Sequence, residues 1–323
     1  MPTKKKRRRR RRLRPQFIAF CAVMLLILAG IVFLATRCVS GILKKRAAEK
    51  AETVVEETQP EEETPSSKQP NVVIPVNYVA AEGDIHTGDV ILVNNDTPYT
   101  FPAGVEMEAV WQYTGNDYMV RDYSVSLQKQ AAEAFDKMLE DFAAETGIKD
   151  VLVTSAYRSY EEQEDVFNSS ASKNGMEHTQ RYVAQPGYSE HHTGLAVDFS
   201  IYNVSKGYSY DFDGKGDYKW IVDHCAEYGI IQRYPPDKEA ITGIAEEGWH
   251  FRYVGGPHAM YMAKKNQCLE EYINRVRNHP VDEPIEFDKY KIYFCPEGEL
   301  YVPMKGNYTV SGNNVDGFIV VVG

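Results

Sequence analysis

The sequence predicts an α+β protein with an N-terminal membrane anchor and a small C-terminal β appendage. Three observations support this: an uncharged apolar run near the N-terminus, strand and helix patterns mixed without a regular βαβ alternation, and a final stretch of short strands broken by Pro and Gly. The 323 residues suffice for about two domains or one domain with appendages, and the 43% hydrophobic content is that of a globular chain. These figures exclude a chain disordered throughout, a collagen and a multi-span membrane protein.

The N-terminal segment predicts a basic tail, residues 1–16, and a transmembrane anchor, residues 17–36. Ten Lys and Arg side chains and no acid occupy the first fourteen positions, and the next apolar residues would span about 28 Å as a helix, one hydrocarbon core. A cleavable signal peptide has a shorter apolar region ending in small residues, whereas this run meets Arg37 and Cys38. A buried soluble helix is the other alternative, and the flanking cations disfavour it. We therefore expect an uncleaved anchor.

The charge distribution predicts the topology and excludes one class of partner. The positive-inside bias places the tail in the cytoplasm and everything after Thr36 outside the cell, as a single-pass protein of the cell membrane. Anionic lipid headgroups of the bilayer, rather than RNA, are the expected partner of the tail. Residues 37–71, rich in Glu and free of aromatic residues between 47 and 71, predict a solvated acidic stalk. Without the ten tail cations, the rest of the chain has 26 basic and 46 acidic side chains. This excess of negative charge does not suit a nucleic-acid binder.

The folded part is expected over residues 72–279, followed by a linker and β appendage over residues 280–323. Apolar side chains recur every three or four positions in a long helix that Gly147 ends, and Ser159 with Glu162 forms a capping box at the start of another helix. Strands are predicted over residues 72–79, 89–93, 150–154, 194–200 and 249–254. Further helices are predicted over residues 218–228 and 257–277, and the long helix itself over residues 126–146.

Two of the predicted strands carry the polar residues that suggest a metal site. Side chains alternate along a strand. Asp198 therefore lies on the face opposite the apolar side chains of the strand at residues 194–200, and His250 on the face opposite those of the strand at residues 249–254. If the strands are neighbours, both side chains share one surface, which His191 enters from the preceding turn. Two imidazoles and a carboxylate suit a borderline-soft dication with one open position for water. Glu247, three residues before His250, is well placed to take a proton from that water.

The spacing alone leaves other interpretations open. His191 or its neighbour His192 could be a solvated loop histidine, Asp198 a turn carboxylate, and His250 a half-buried strand histidine bonded to backbone. A cysteine or serine hydrolase is a rival class, because Cys225 follows His224, but the chain lacks a Gly-x-Ser-x-Gly elbow and Cys225 occupies a core-like helical position. Apart from Cys38, three cysteines follow the anchor. One disulfide is therefore possible, with one thiol left over.

A family resemblance adds to this pattern. The string SEHHTGLAVD, residues 189–198, resembles the Ser-x-His-x-x-Gly-x-Ala-x-Asp motif of the VanY-type zinc D,D-peptidases, residues 247–250 resemble their Glu-x-x-His element, and residues 155–163 resemble their Ser-x-Tyr-Arg-Ser-x-x-x-Gln element. The resemblance covers roughly residues 89–278. It implies a compact catalytic domain with a central antiparallel sheet and flanking helices. Gly248 departs from the family pattern, where Pro or Trp is expected.

The resemblance also implies roles for seven residues. It implies Zn2+ bound by His191, Asp198 and His250, and Glu247 as general base. It implies that Arg158 stabilises the oxyanion or the substrate carboxylate, with Gln163 and Ser189 in the substrate site.

The function expected from the resemblance and the anchor is that of a zinc-dependent D-alanyl-D-alanine carboxypeptidase outside the membrane, which removes the C-terminal D-Ala from peptidoglycan stem peptides. The alternatives are an L,D-carboxypeptidase acting on tetrapeptide stems, a dipeptidase acting on free D-Ala-D-Ala, and a non-catalytic cell-wall-binding protein on the same fold. An intact base beside a complete ligand set argues against the last, because a binding module has no need for it.

Overall fold

The computed structural model describes residues 75–323, which belong to one compact unit. The predicted basic tail, anchor and stalk lie outside these residues. No helix between residues 75 and 323 has the length and apolar character required to cross a bilayer.

Helices and strands are mixed along the chain, which confirms the α+β class. The strands are β1 (Tyr78–Ala80), β2 (Glu108–Ala109), β3 (Met119–Val120), β4 (Ser126–Leu127), β5 (Val151–Ser155), β6 (Ala196–Asn203), β7 (Tyr208–Asp211), β8 (Ile230–Tyr234), β9 (Glu247–Tyr253), β10 (Ile285–Phe287), β11 (Tyr290–Pro296), β12 (Tyr301–Pro303), β13 (Tyr308–Gly312) and β14 (Gly317–Val322). The α-helices are α1 (Lys129–Thr146), α2 (Tyr160–Asn174), α3 (Met176–Tyr182), α4 (Lys219–His224), α5 (Glu239–Thr242), α6 (Gly256–Lys265) and α7 (Leu269–Val276). Short 3-10 turns include Glu190–Thr193, just before β6.

The central sheet has the strand order β3-β5-β6-β9-β8, with β7 also paired to β6. Its pairings are antiparallel except for the short parallel pair of β3 with β5. Helix α1 packs on one face, where Phe135, Leu139 and Phe142 meet the inward side chains of β6 and β9. Leu195, Val197 and Phe199 all lie in this core, as the predicted alternation requires.

Local sequence signals define the ends of two helices. Gly147 takes a left-handed conformation with φ of 75° and ends α1. The Ser159 side chain accepts a hydrogen bond from the Glu162 backbone while the Glu162 carboxylate accepts one from the Ser159 backbone, so the predicted capping box starts α2.

The predicted strand at residues 89–93 is wrong, although the segment is buried. Val90 and Leu92 pack among side chains of α6, α7 and the C-terminal strands, but their backbone groups are not in a ladder. The Val90 amide donates to the Ser311 hydroxyl, and the Leu92 amide donates to the Asn313 carbonyl. A continuous apolar run signals burial, and here loop and side-chain acceptors replace the neighbouring strand.

Other predicted elements also differ at their boundaries. Residues 126–127 form β4, so the long helix begins at Lys129. Strand β1 starts at Tyr78, so residues 75–77 of the strand predicted over residues 72–79 are not part of it, and residues 72–74 lie outside the described range. The predicted helix at residues 257–277 is split into α6 and α7, because Asn266 adopts a left-handed conformation with φ of 50°.

The C-terminal strands form an antiparallel sheet of order β10-β11-β14-β13, and β12 pairs with β1. Ile292, Ile319 and Val321 of this sheet share a hydrophobic core with Tyr272 and Ile273 of α7. The sheet therefore packs directly on the helices that follow β9.

Candidate active site

Strands β6 and β9 bring Asp198 and His250 together. They are antiparallel neighbours, and Asp198 pairs directly with His250 in the register. The predicted sharing of one polar surface by these two residues is therefore confirmed. His191 reaches the same place from the 3-10 turn that precedes β6.

The three side chains form a compact cluster of donor atoms. His191 Nε2 lies 3.1 Å from Asp198 Oδ2, and His250 Nδ1 lies 2.9 Å from Asp198 Oδ1. One ligand atom from each residue can be chosen so that all lie within 4.8 Å of one another. Two imidazole nitrogens and a carboxylate oxygen at this spacing fit a catalytic zinc ion, which takes three protein ligands and keeps one position open.

Hydrogen bonds on the outer side fix the orientation of both imidazoles. His191 Nδ1 donates to the Ala156 carbonyl oxygen at 2.6 Å, which leaves Nε2 facing Asp198. His250 Nε2 lies 3.4 Å from Glu190 Oε2, which leaves Nδ1 facing Asp198. Burial lowers the pKa of His191 and so favours its neutral, metal-binding form, although the Asp198 charge opposes this. Such outer partners are typical of metal-binding histidines.

Glu247 lies at the start of β9, beside the cluster. Its side chain is buried, and Oε2 is 3.9 Å from His250 Nδ1. Burial raises the pKa of Glu247 to about 8; His250 lowers it and the Asp198 charge raises it. A buried carboxyl of this kind can exchange protons near neutral pH, which is what a general base requires.

Arg158 approaches the cluster from the segment between β5 and α2. Its Nη1 donates to Gln163 Oε1 at 2.6 Å, and its Nη2 donates to Ser155 Oγ at 2.7 Å and lies 3.7 Å from Asp198 Oδ2. Gln163 is buried and donates its amide to the Ala184 carbonyl. This arrangement fixes the guanidinium next to the predicted metal ligands.

All seven residues singled out from the sequence line one cleft of about 390 Å³: Arg158, Gln163, Ser189, His191, Asp198, Glu247 and His250. Ser189 caps the 3-10 turn, with its hydroxyl 3.4 Å from the His191 amide. The cleft continues past Val166, Ser170 and Tyr182 of α2 and α3.

The structure argues against the cysteine-hydrolase alternative. Cys225 is buried and does not line this cleft, and burial raises its thiol pKa to about 12, which disfavours a nucleophilic thiolate. Cys225, Cys268 and Cys295 are all free thiols, so no disulfide joins cysteines within residues 75–323.

Comparisons with known proteins place this site in a family. The family model described as "VanY: D-alanyl-D-alanine carboxypeptidase" matches residues 124–256, a range that contains all seven site residues. A D-alanyl-D-alanine carboxypeptidase of Enterococcus faecium is 31% identical over 248 residues, which cover 75% of this chain and 77% of that protein. The chain belongs to the VanY family.

Two further relatives extend the comparison. The bifunctional D-Ala-D-Ala dipeptidase and D-Ala-D-Ala carboxypeptidase VanXYC of Enterococcus gallinarum is 35% identical over 153 residues, covering 47% of this chain and 79% of that protein. The crystal structure of the vancomycin resistance D,D-dipeptidase VanXYg, in complex with a D-Ala-D-Ala phosphinate analogue, superposes with a TM-score of 0.66 at 32% identity. It covers 74% of this chain and 94% of that one.

Gly248, the departure from the VanY pattern, has a steric explanation in this chain. A Cβ atom at this position would lie 3.3 Å from the Asp213 Cα and from the Phe212 carbonyl oxygen. The backbone after β7 thus leaves little room for a side chain between Glu247 and Trp249.

Sequence reasoning missed Glu190, which occupies a variable position of the VanY motif. Glu190 is buried, and its carboxylate lies between Arg233, Arg252 and His250. Burial alone would raise its pKa, but the two guanidinium charges outweigh burial and lower the pKa below its usual range. The available signal was the alternation along β9, which puts Arg252 on the same face as His250, because a buried arginine requires a carboxylate partner.

His192, by contrast, is not among the predicted site residues, and backbone groups engage both of its ring nitrogens. Its Nδ1 donates to the Arg158 carbonyl, and its Nε2 accepts from the Gly187 amide.

Proposed function

We propose that this VanY-family chain is a membrane-anchored zinc carboxypeptidase that removes the C-terminal D-Ala from peptidoglycan stem peptides outside the cell. The observation that carries the proposal is the cluster of His191, Asp198 and His250, with Glu247 and Arg158 in the same cleft. The cited relatives, named for D-Ala-D-Ala substrates, support the choice of substrate class.

His191 Nε2, His250 Nδ1 and an Asp198 oxygen would hold the zinc ion. When bound, the ion supplies Lewis-acid polarisation of the scissile carbonyl and lowers the pKa of water to about 7. Glu247 Oε2 takes a proton from the attacking water as the new C–O bond forms. When the C–N bond breaks, Glu247 returns that proton to the amine of the departing D-Ala.

Arg158 supplies a positive charge that the reaction needs in addition to the metal ion. Its guanidinium is held by Ser155 and Gln163, so it can face negative charge without reorganising. Developing charge on the carbonyl oxygen and the terminal carboxylate of the substrate are both suitable partners.

The metal assignment is tested on the full-length chain by zinc analysis. We expect about one zinc per chain. Replacement of His191, Asp198 or His250 by Ala should lower zinc content and activity together. His224→Ala is the matched control, because His224 lies outside the cleft and pairs with Glu227. Full zinc content in a His250→Ala variant would refute the ligand assignment.

The substrate is tested by mass spectrometry of defined muropeptides. We expect the pentapeptide ending in D-Ala-D-Ala to lose one D-Ala in the presence of zinc and none after chelation. Dipeptidase activity is a second candidate, because VanXYg is named a D,D-dipeptidase and its structure superposes on most of this chain. Faster cleavage of free D-Ala-D-Ala, or of a tetrapeptide stem, would replace the proposed substrate. Binding of intact muropeptides without cleavage would favour a binding protein.

The location rests on the sequence of residues 1–36, with its ten cations before an uncharged apolar run. A reporter fused after Thr36 should be active only outside the cytoplasm. Protease added to intact, wall-stripped cells should remove the catalytic part. Protection in such cells, with cleavage only after lysis, would contradict this topology.

A further inference from the structure

A buried charged network lies directly behind the candidate metal ligands. Glu190 Oε1 accepts hydrogen bonds from Arg233 Nε at 2.8 Å and from Arg252 Nη1 at 3.0 Å. Its other oxygen, Oε2, lies 3.4 Å from His250 Nε2. Both arginine side chains have no exposed surface, and Glu190 is 1% exposed.

Both arginines make further hydrogen bonds besides those to Glu190. Arg233 donates to both Glu270 oxygens on α7, at 3.0 and 2.6 Å. Arg252 Nη2 donates to the backbone carbonyls of Asp89 and Ile91, at 3.0 and 3.1 Å. The position of the Glu190 carboxylate is thus fixed by partners from β8, β9, α7 and the segment at residues 89–91.

Fold stability is a weak explanation for such a network. Burying four charged side chains carries a desolvation cost, and well-packed apolar residues would stabilise the fold as well or better. What an apolar residue could not provide is an acceptor for the imidazole N–H of His250. Glu190 also immediately precedes His191 in the same 3-10 turn and contacts His250, so it adjoins both histidines of the site.

We infer that Glu190 is a positioning residue that accepts the Nε2 proton of His250 and so directs His250 Nδ1 to the metal beside Asp198. A neutral imidazole carries one N–H, so a donor at Nε2 leaves Nδ1 as the free ligand atom. An anionic acceptor also raises the basicity of the ligand nitrogen. This inference rests on the zinc site proposed above.

The test compares two Glu-to-Gln variants of the full-length chain. Glu190→Gln removes the charge that contacts His250, whereas Glu270→Gln removes a charge from the same network at the far side of Arg233. Zinc affinity is measured by competition with a chromophoric chelator, and unfolding by urea titration. We expect Glu190→Gln to bind zinc about 10–100-fold more weakly, the usual effect of losing a metal ligand's outer partner. Glu270→Gln should lower the unfolding midpoint while zinc affinity stays near that of the wild type.

Equal losses of zinc affinity in the two variants would overturn the inference, because a general structural role predicts that result. Unchanged affinity in Glu190→Gln, while the wild type binds zinc tightly, would overturn it and leave the proposed function standing. A wild-type chain that binds no zinc would overturn the proposed metal site and the inference with it.

A second measurement needs no variant and decides the matter if Glu190→Gln does not fold. The nitrogen-15 spectrum of the zinc-loaded wild type, with labelled histidine, reports which ring nitrogen carries the proton. We expect His250 to be protonated at Nε2 and His191 at Nδ1. A proton on His250 Nδ1, with zinc at Nε2, would contradict the inference.

Discussion

Replacing Glu247 by Gln should change activity and stability in opposite directions. The amide keeps the size of the side chain but cannot accept a proton from water, so turnover should fall by a factor on the order of 10²–10⁴, or about 3–5 kcal/mol of barrier. Zinc content should stay near that of the wild type, because Glu247 is not needed to complete the ligand set. The assay is release of D-Ala from a peptide ending in D-Ala-D-Ala.

The stability effect follows from the environment of the carboxyl group. Burial raises the pKa of Glu247 from 4.5 to about 8 in the zinc-free chain. The folded state therefore binds more protons than the unfolded state between these values, and stability decreases as pH rises from 4.5 to 8. At pH 7 the neutral Gln removes a penalty of about 3 kcal/mol. Urea titration in the presence of a chelator should show this gain at pH 7 and almost none at pH 4.

Glu246→Gln is the matched control, because Glu246 is the adjacent residue and is exposed. It should leave turnover and stability near those of the wild type. A Glu247→Gln enzyme with near-normal turnover would refute the general-base role. A loss of zinc together with turnover would instead make Glu247 a ligand, and an unchanged pH dependence of stability would refute the explanation by burial.

Three further predictions concern neighbouring features. Arg158→Lys keeps the charge but loses the planar contacts to Ser155 and Gln163, so kcat should fall about 10–100-fold. An accompanying rise in KM would show that Arg158 also binds the substrate carboxylate, whereas unchanged kinetics would remove Arg158 from the site. Ser159→Ala removes the cap of α2 and should lower the free energy of unfolding by about 1 kcal/mol in urea titrations, whereas no change would contradict the capping role. Burial lowers the pKa of His258 to about 4, so stability should be lost as pH falls from about 6.5 towards 4. His258→Asn should reduce this loss in the free energy of unfolding by about 3 kcal/mol. An unaltered dependence of stability on pH would exclude His258 as the cause of the loss.

The site was more predictable from sequence than the segments that support it. Period-two alternation places Asp198 and His250 on one face, and direct pairing of β6 with β9 then brings them together. The capping box at Ser159 is a local signal and was equally readable. Both depend on residues a few positions apart, where the backbone geometry determines the outcome.

The parts that could not be predicted depend on contacts between distant segments. The run at residues 89–93 has the composition of a buried strand, but its Val90 and Leu92 amides donate to Ser311 and Asn313, more than 200 residues away. Glu190 likewise gains its surroundings from β8 and β9. No spacing rule relates such positions, so sequence patterns could indicate burial there without indicating the partner.

The contacts of residues 89–92 with the C-terminal strands bear on where this protein can be shortened. Ser311 and Asn313 accept hydrogen bonds from the backbone amides of this segment. Two carbonyls of the segment accept hydrogen bonds from Arg252. Arg252 in turn donates to Glu190, which contacts His250. A gene truncated after residue 279 would delete the first link in that series and uncover the apolar surface of α7. A shortened chain that keeps this support for His250 therefore has to extend to the last strand, β14.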